Sequence, residues 1–198
     1  MPKKLWHKVN DLNFGIMEET MDKKMSVKVD PRFNLIKVID NLVVPVEYNP
    51  DICLATFKKE HYSEFNSYHP DVTDEHFRTT RRLVPGEKFK VKFFQVMEGI
   101  ISENCLAFLH SENVILTGVR GLFLAWQEAK DVFPVGKWSV SFDERSALWV
   151  DPNGSHRIAN IFRCSDDISK FNLGLGRFED GWNDSFCLLC FCECGNSS

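Results

Sequence analysis

Several absences narrow the chain before any motif is read. No run of apolar residues approaches the roughly 18 needed to cross a bilayer, so no membrane partner is expected. Basic residues are not in excess: 24 Lys and Arg stand against 28 Asp and Glu, a formal net charge of -4. A nucleic-acid binder normally carries a basic footprint, so that partner is not expected either. There are no internal repeats and no low-complexity segments. A nucleophile elbow, a phosphate loop, an H-E-x-x-H helix and a paired-carboxylate signature are all missing. Tyrosine is scarce, three residues against 17 phenylalanines, which points to a core built on phenyl rings. The opening stretch MPKKLWHKVNDLNFG has the charge of a signal peptide without its continuous apolar segment, and a cytoplasmic location is the expectation.

What is present fits an ordinary globule. A chain of 198 residues, 43% hydrophobic and 26% charged, is long enough for one well-buried core. Arg78, Arg81 and Arg82 cluster in RTTRRL and read as a solvated loop. Residues 1–41 read as an N-terminal arm or small helical layer, and residues 42–198 as a single domain. Within DPRFNLIKVIDNL, Asp30 and Pro31 suit a helix start, while the β-branched content suits a strand equally. NLVVPVEY reads as a short strand that Pro45 confines to an edge or bulge. Asn49 and Pro50 then open a helical stripe of Ile52, Leu54, Ala55 and Phe57. Residues 62–85 show no periodicity and read as a long loop studded with aromatics.

The clearest strand is EKFKVKFFQV, with Phe89, Val91 and Phe93 on one face and Lys88, Lys90 and Lys92 on the other. A helix follows with Ser102 as N-cap and Cys105, Leu106 and Leu109 inward. A second helix, GVRGLFLAWQEAKDVF, has Thr117 before it and Pro134 after it. Beyond Pro134, five short strand-like runs alternate with the turn signals DPNG at 151–154 and EDGWND at 179–184. Strand, two helices and a closing antiparallel meander make an α+β fold.

Four of the seven cysteines lie in SFCLLCFCECG. A metal cage, a redox pair and a buried last strand are the three readings, and the strand is favoured. Extended chain puts Cys190, Cys192 and Cys194 on one face at about 7 Å spacing, with Cys187 opposite. Leucines fill the C-x-x-C where a zinc knuckle wants turn formers, so zinc at Cys187 and Cys190 is disfavoured. The redox reading lacks a helix N-terminus to lower a thiol pKa. In a reducing compartment the thiols serve as small hydrophobes.

Asp-Pro-Asn at 151–153, Cys164, Trp-Asn-Asp at 182–184, Cys187 and Cys192-Glu193 together resemble a C-type-lectin-like domain over about residues 87–194. That resemblance implies a loop-rich binding scaffold, disulfides Cys105–Cys192 and Cys164–Cys187, and a calcium and sugar site at the two turns. Calcium would then sit on Asp151, Asn153, Asn183 and Asp184, whose hard oxygens suit it. Without that metal no cofactor is expected. Trp149 or Trp182 would offer a flat face. From about Val46 to Glu193 the chain also resembles a group of uncharacterised bacterial proteins, which implies one continuous domain and no activity.

The functional expectation is a non-catalytic protein that binds an unknown small ligand or protein at Trp149, Asp151, Asn153, Trp182, Asn183 and Asp184. Two alternatives stand beside it. One is an enzyme using an acid–base pair of His156 with a carboxylate such as Asp143. The other is an assembly protein acting through the aromatic, histidine-bearing segment of His61, Tyr62, Phe65, Tyr68, His69, His76 and Phe77.

Overall fold

The structure, a computed structural model, describes residues 30–78 and 80–194. The expected N-terminal arm lies outside the described residues up to residue 29. From Phe33 the chain is a strand, β1 (Phe33–Val43), which settles the helix-or-strand ambiguity and crosses the expected boundary between residues 41 and 42. The turn before it is made by Asp30, whose carbonyl and carboxylate accept the N–H groups of Phe33 and Arg32. Pro45 does not lie in a strand; β1 ends two residues before it.

The remaining elements are α1 (Cys53–His61), β2 (Phe65–Tyr68), β3 (Lys88–Val96), β4 (Ile100–Ile101), α2 (Ser102–Ser111), α3 (Gly118–Ala129), β5 (Trp138–Val140), β6 (Trp149–Val150), β7 (His156–Arg163), β8 (Phe171–Arg177), β9 (Gly181–Trp182) and β10 (Phe186–Glu193). They form an α+β fold around a mixed sheet in the order β1-β3-β10-β5-β7-β8-β2, with β6 joined to β7 and a separate β4–β9 ribbon.

The closing strands are not a simple meander. β5, β7 and β8 pair antiparallel in sequence order. β10 then leaves that run and inserts between β3, antiparallel, and β5, parallel. The cause is its composition: Cys187, Leu188, Leu189, Cys190 and Phe191 are apolar in succession, and each is at most 2% exposed. A strand apolar on both faces belongs in the centre of a sheet covered on both sides. The edge beside β8 is taken instead by β2, parallel to it, from a segment whose lack of periodicity suggested a loop.

Alternation along β3 and β10 divides the core. Phe89, Val91, Phe93, Leu189 and Phe191 face α1 and α3, while Phe94, Val96, Leu188 and Cys190 face α2. On the first face Trp126 is wholly buried, its ring edge-on to Phe57 and Phe171 at 5.0 and 5.2 Å. Each such ring contributes about 1.5–3 kcal/mol through burial. On the second face Phe108 stacks on Phe33 at 3.8 Å and meets Phe94 edge-on at 5.0 Å. The phenyl-rich composition is therefore the core itself.

All seven cysteines are free thiols. The disulfides implied by the lectin-like resemblance, Cys105–Cys192 and Cys164–Cys187, are not formed. Cys105 and Cys190 lie in the α2-side core, and burial pushes the Cys105 thiol up to about 12. Cys187 faces the opposite side of β10 from Cys190, so the two cannot share one ion. Burial likewise pushes the Cys187 thiol up to about 12.

Candidate functional site

The turn residues singled out by sequence are mostly engaged in building the turns. Asp151 is 7% exposed. Its carboxylate accepts the N–H groups of Asn153 at 2.8 Å and Ser155 at 3.0 Å, and the Arg157 Nε at 2.8 Å. The Ser155 amide, foremost, and Arg157 hold its pKa below the ordinary value. Asn153 takes part through its backbone, and its side chain is exposed. Trp149 is covered by the His76 ring, stacked at 4.3 Å and 4°.

Trp182 is 2% exposed and donates its indole N–H to Ser102 Oγ at 2.6 Å, with Phe142 and Phe186 against its ring. It is a core residue rather than a platform. Ser102 correspondingly is no N-cap; it sits in the first turn of α2 and donates to the Phe178 carbonyl. Asn183 Oδ1 accepts the Ser185 N–H at 3.0 Å. The Asp184 carbonyl accepts from Lys137 and Gln95 at 2.7 and 3.1 Å.

The sheet register keeps the two turns apart. Phe186 is level with Trp138, and Trp138 with Phe162, whereas the 151–155 turn lies at the His156 end of β7. Six residues of strand rise separate those levels, about 20 Å. Asp151 and Asp184 therefore do not share an ion. His156 pairs with Glu179 at 2.7 Å, not with Asp143. Asp143 is buried at 2% and caps the chain through the N–H groups of Thr80 and Glu144. The aromatic segment is largely folded inward: Phe65 and Phe77 are buried, and His61 packs on Phe57 and Trp126.

The site with convergent chemistry lies elsewhere, where the loop after β1 meets α1 and α3. It is a cleft of about 410 Å³ whose walls include Tyr48, Phe57 and Phe123, with Cys53 and Arg120 at its polar side. Asn49 does not cap the helix. Its Oδ1 closes a turn on the Asp51 N–H, and α1 starts at Cys53 without a side-chain cap from its own N-cap position. The cap comes from the distant loop: Asp74 accepts the N–H groups of Leu54 at 3.2 Å and Ala55 at 3.0 Å. Those are two of the orphan donors that every helix start leaves.

Arg120 fixes that arrangement from α3. It is 6% exposed and donates to Asp74 Oδ1 at 3.1 Å, to the carbonyl of Pro50, and to the carbonyl of Phe77 at 3.1 Å. The Cys53 sulfur also accepts from it at 2.9 Å. One buried guanidinium thus ties together the loop before α1, the helix start, the 69–78 segment and α3. Its five donors in a fixed fork suit such a junction.

Cys53 stands at a helix N-terminus beside a cation, the setting that normally lowers a thiol pKa. Burial is the larger effect here, and the thiol is raised above its ordinary value. The nearest carboxylate, Asp74 at 3.8 Å, is already engaged by two amides and Arg120. Cys53 is therefore a neutral polar wall rather than a nucleophile. The Tyr48 hydroxyl is buried beside the Cys53 sulfur, and burial, foremost, raises its pKa also. Tyr68 Oη and Trp126 Nε1 are further buried polar atoms of this region without a hydrogen bond among the described residues.

The sequence reading missed this cleft because its members are scattered. One signal was available: Arg120 is a charge inside the otherwise apolar run GVRGLFLAW. A charge on a buried stripe needs a partner and marks a junction. No protein-family model matches the chain, and no curated protein or solved structure matches it either.

Proposed function

We propose that this protein is a non-catalytic binder of a small, largely apolar ligand, held in the cleft between the β1–α1 loop, α1 and α3. The observation that carries the reading is the cleft itself. It has aromatic walls, a volume of about 410 Å³ and a buried Tyr48 hydroxyl beside the Cys53 sulfur at its side. Mostly apolar pockets with a few convergent polar groups are the usual form of small-molecule sites.

The non-catalytic part is supported by the Cys53 thiol, which burial keeps neutral, and by Asp74, the carboxylate beside it, which two amides and Arg120 engage. The turns at 151–154 and 183–184 are weaker candidates, because their polar groups largely satisfy one another. A fragment screen by amide-resolved NMR tests the proposal. Binders should shift the amides of residues 46–57 and 120–127 together. Binding that moves only the amides around Asp151 or Asn183 would remove the cleft from consideration.

A further inference from the structure

The charges around the cleft favour one class of ligand. We infer that it takes an organic cation, an ammonium group on an apolar or aromatic body; this rests on the cleft being the binding site. The ionisable groups lining the cleft are Glu47, Glu60, Arg120, the Cys53 thiol and the Tyr48 phenol. Arg120 is engaged by Asp74 and by the carbonyls of Pro50 and Phe77, and Cys53 is neutral.

That leaves two carboxylates as the uncommitted charges. Glu47 is exposed and has no ion pair among the described residues. Glu60, about half exposed, has only His61 Nε2 at 3.9 Å. An anionic ligand would meet both carboxylates and no free cation. A neutral one would leave them unused.

The walls select in the same direction. Phe57 and Phe123 stack on each other at 4.1 Å and are each 3% exposed, so the half-buried Tyr48 ring is the aromatic wall left to meet a cation, which such rings hold over their faces. Tyr48 Oη is buried beside the Cys53 sulfur, and its phenol stays neutral because burial raises its pKa. A neutral phenol oxygen keeps acceptor capacity for an ammonium N–H. The carboxylate rim and the Tyr48 side chain are thus two reasons for a positive headgroup.

The test is calorimetric titration of the full chain at pH 7 with three probes of one shape: phenethylamine, 2-phenylethanol and 3-phenylpropanoate. Phenethylamine should bind at least about tenfold more tightly than the alcohol, which is about 1.4 kcal/mol, and the propanoate more weakly than both. The advantage of the amine should fall severalfold in Glu47→Gln/Glu60→Gln and in 0.5 M salt. Both substitutions are at the surface and leave the core intact. Equal binding of amine and alcohol, or tighter binding of the propanoate, overturns the cationic ligand while leaving the cleft in place. An amine advantage that survives the double substitution overturns the carboxylate rim as the source of the selectivity. Failure of all three probes to bind counts against the cleft and the cation together.

Discussion

Removal of the Asp74 carboxylate is the sharpest perturbation of the junction that builds the cleft. In Asp74→Ala, two effects add. The first turn of α1 loses the acceptor for the Leu54 and Ala55 amides, and loss of such a cap costs about 1 kcal/mol. Arg120, with its side chain 7% exposed, loses its counter-ion. Breaking a buried pair by removing one partner costs about 3–5 kcal/mol. Some of that is recovered because Arg120 keeps two carbonyl acceptors. The expected loss is then about 3–4 kcal/mol, a large share of the roughly 5–15 kcal/mol available to a domain. Urea unfolding followed by tryptophan fluorescence reads it as a lower midpoint at unchanged slope. Asp74→Asn, which keeps one acceptor oxygen for the cap, should lose distinctly less. A loss below about 1 kcal/mol in Asp74→Ala would refute the claim that this pair holds the junction.

Three further outcomes follow from other parts of the molecule. Gly121→Ala should destabilise by about 1–3 kcal/mol, although helix propensity alone favours alanine by about 1 kcal/mol; the added methyl would lie 1.9 Å from Thr117 Oγ1 and 2.9 Å from Phe191, and thermal melting decides the sign. Asp151 has a depressed pKa in the folded state, so its contribution is fully present above its ordinary value of 3.8 and is lost as pH falls through the folded value. Wild type should therefore melt above Asp151→Asn at pH 6, and the gap should close below about pH 4. Calcium at millimolar concentration should leave the melting temperature unchanged, since the register holds the two expected ligand turns at different ends of the sheet.

Much of the architecture is legible in the residue pattern, and its failures have physical causes. The alternation of EKFKVKFFQV places β3 and its α3-side face correctly, while on the lysine face Phe94 and Val96 continue into the α2-side core. The helices α2 and α3 are legible from their stripes. The run FCLLCFC has a period of two in its cysteines, but its continuous apolarity is the stronger signal and marks a central strand. β2 and the segment after it are held by contacts from far away: Asp74 by Arg120, Phe77 and Leu83 by the core on the α3 side. Local periodicity carries none of that information.

The candidate site was legible only in part for the same reason. Asp151 and Trp182 stand out in sequence because turn formers and tryptophans are conspicuous, yet the first is tied by its own turn and the second is buried. Tyr48, Cys53, Asp74 and Arg120 are spread over more than seventy positions and meet only after the sheet has formed.

The cleft is tested most directly by a crystal structure of the chain with a fragment that binds in solution. The fragment is expected against the paired rings of Phe57 and Phe123, which lie 4.1 Å apart, with a polar atom within hydrogen-bond reach of Tyr48 Oη. A fragment seated instead at the 151–154 or 183–184 turn, with the cleft empty, would contradict the account.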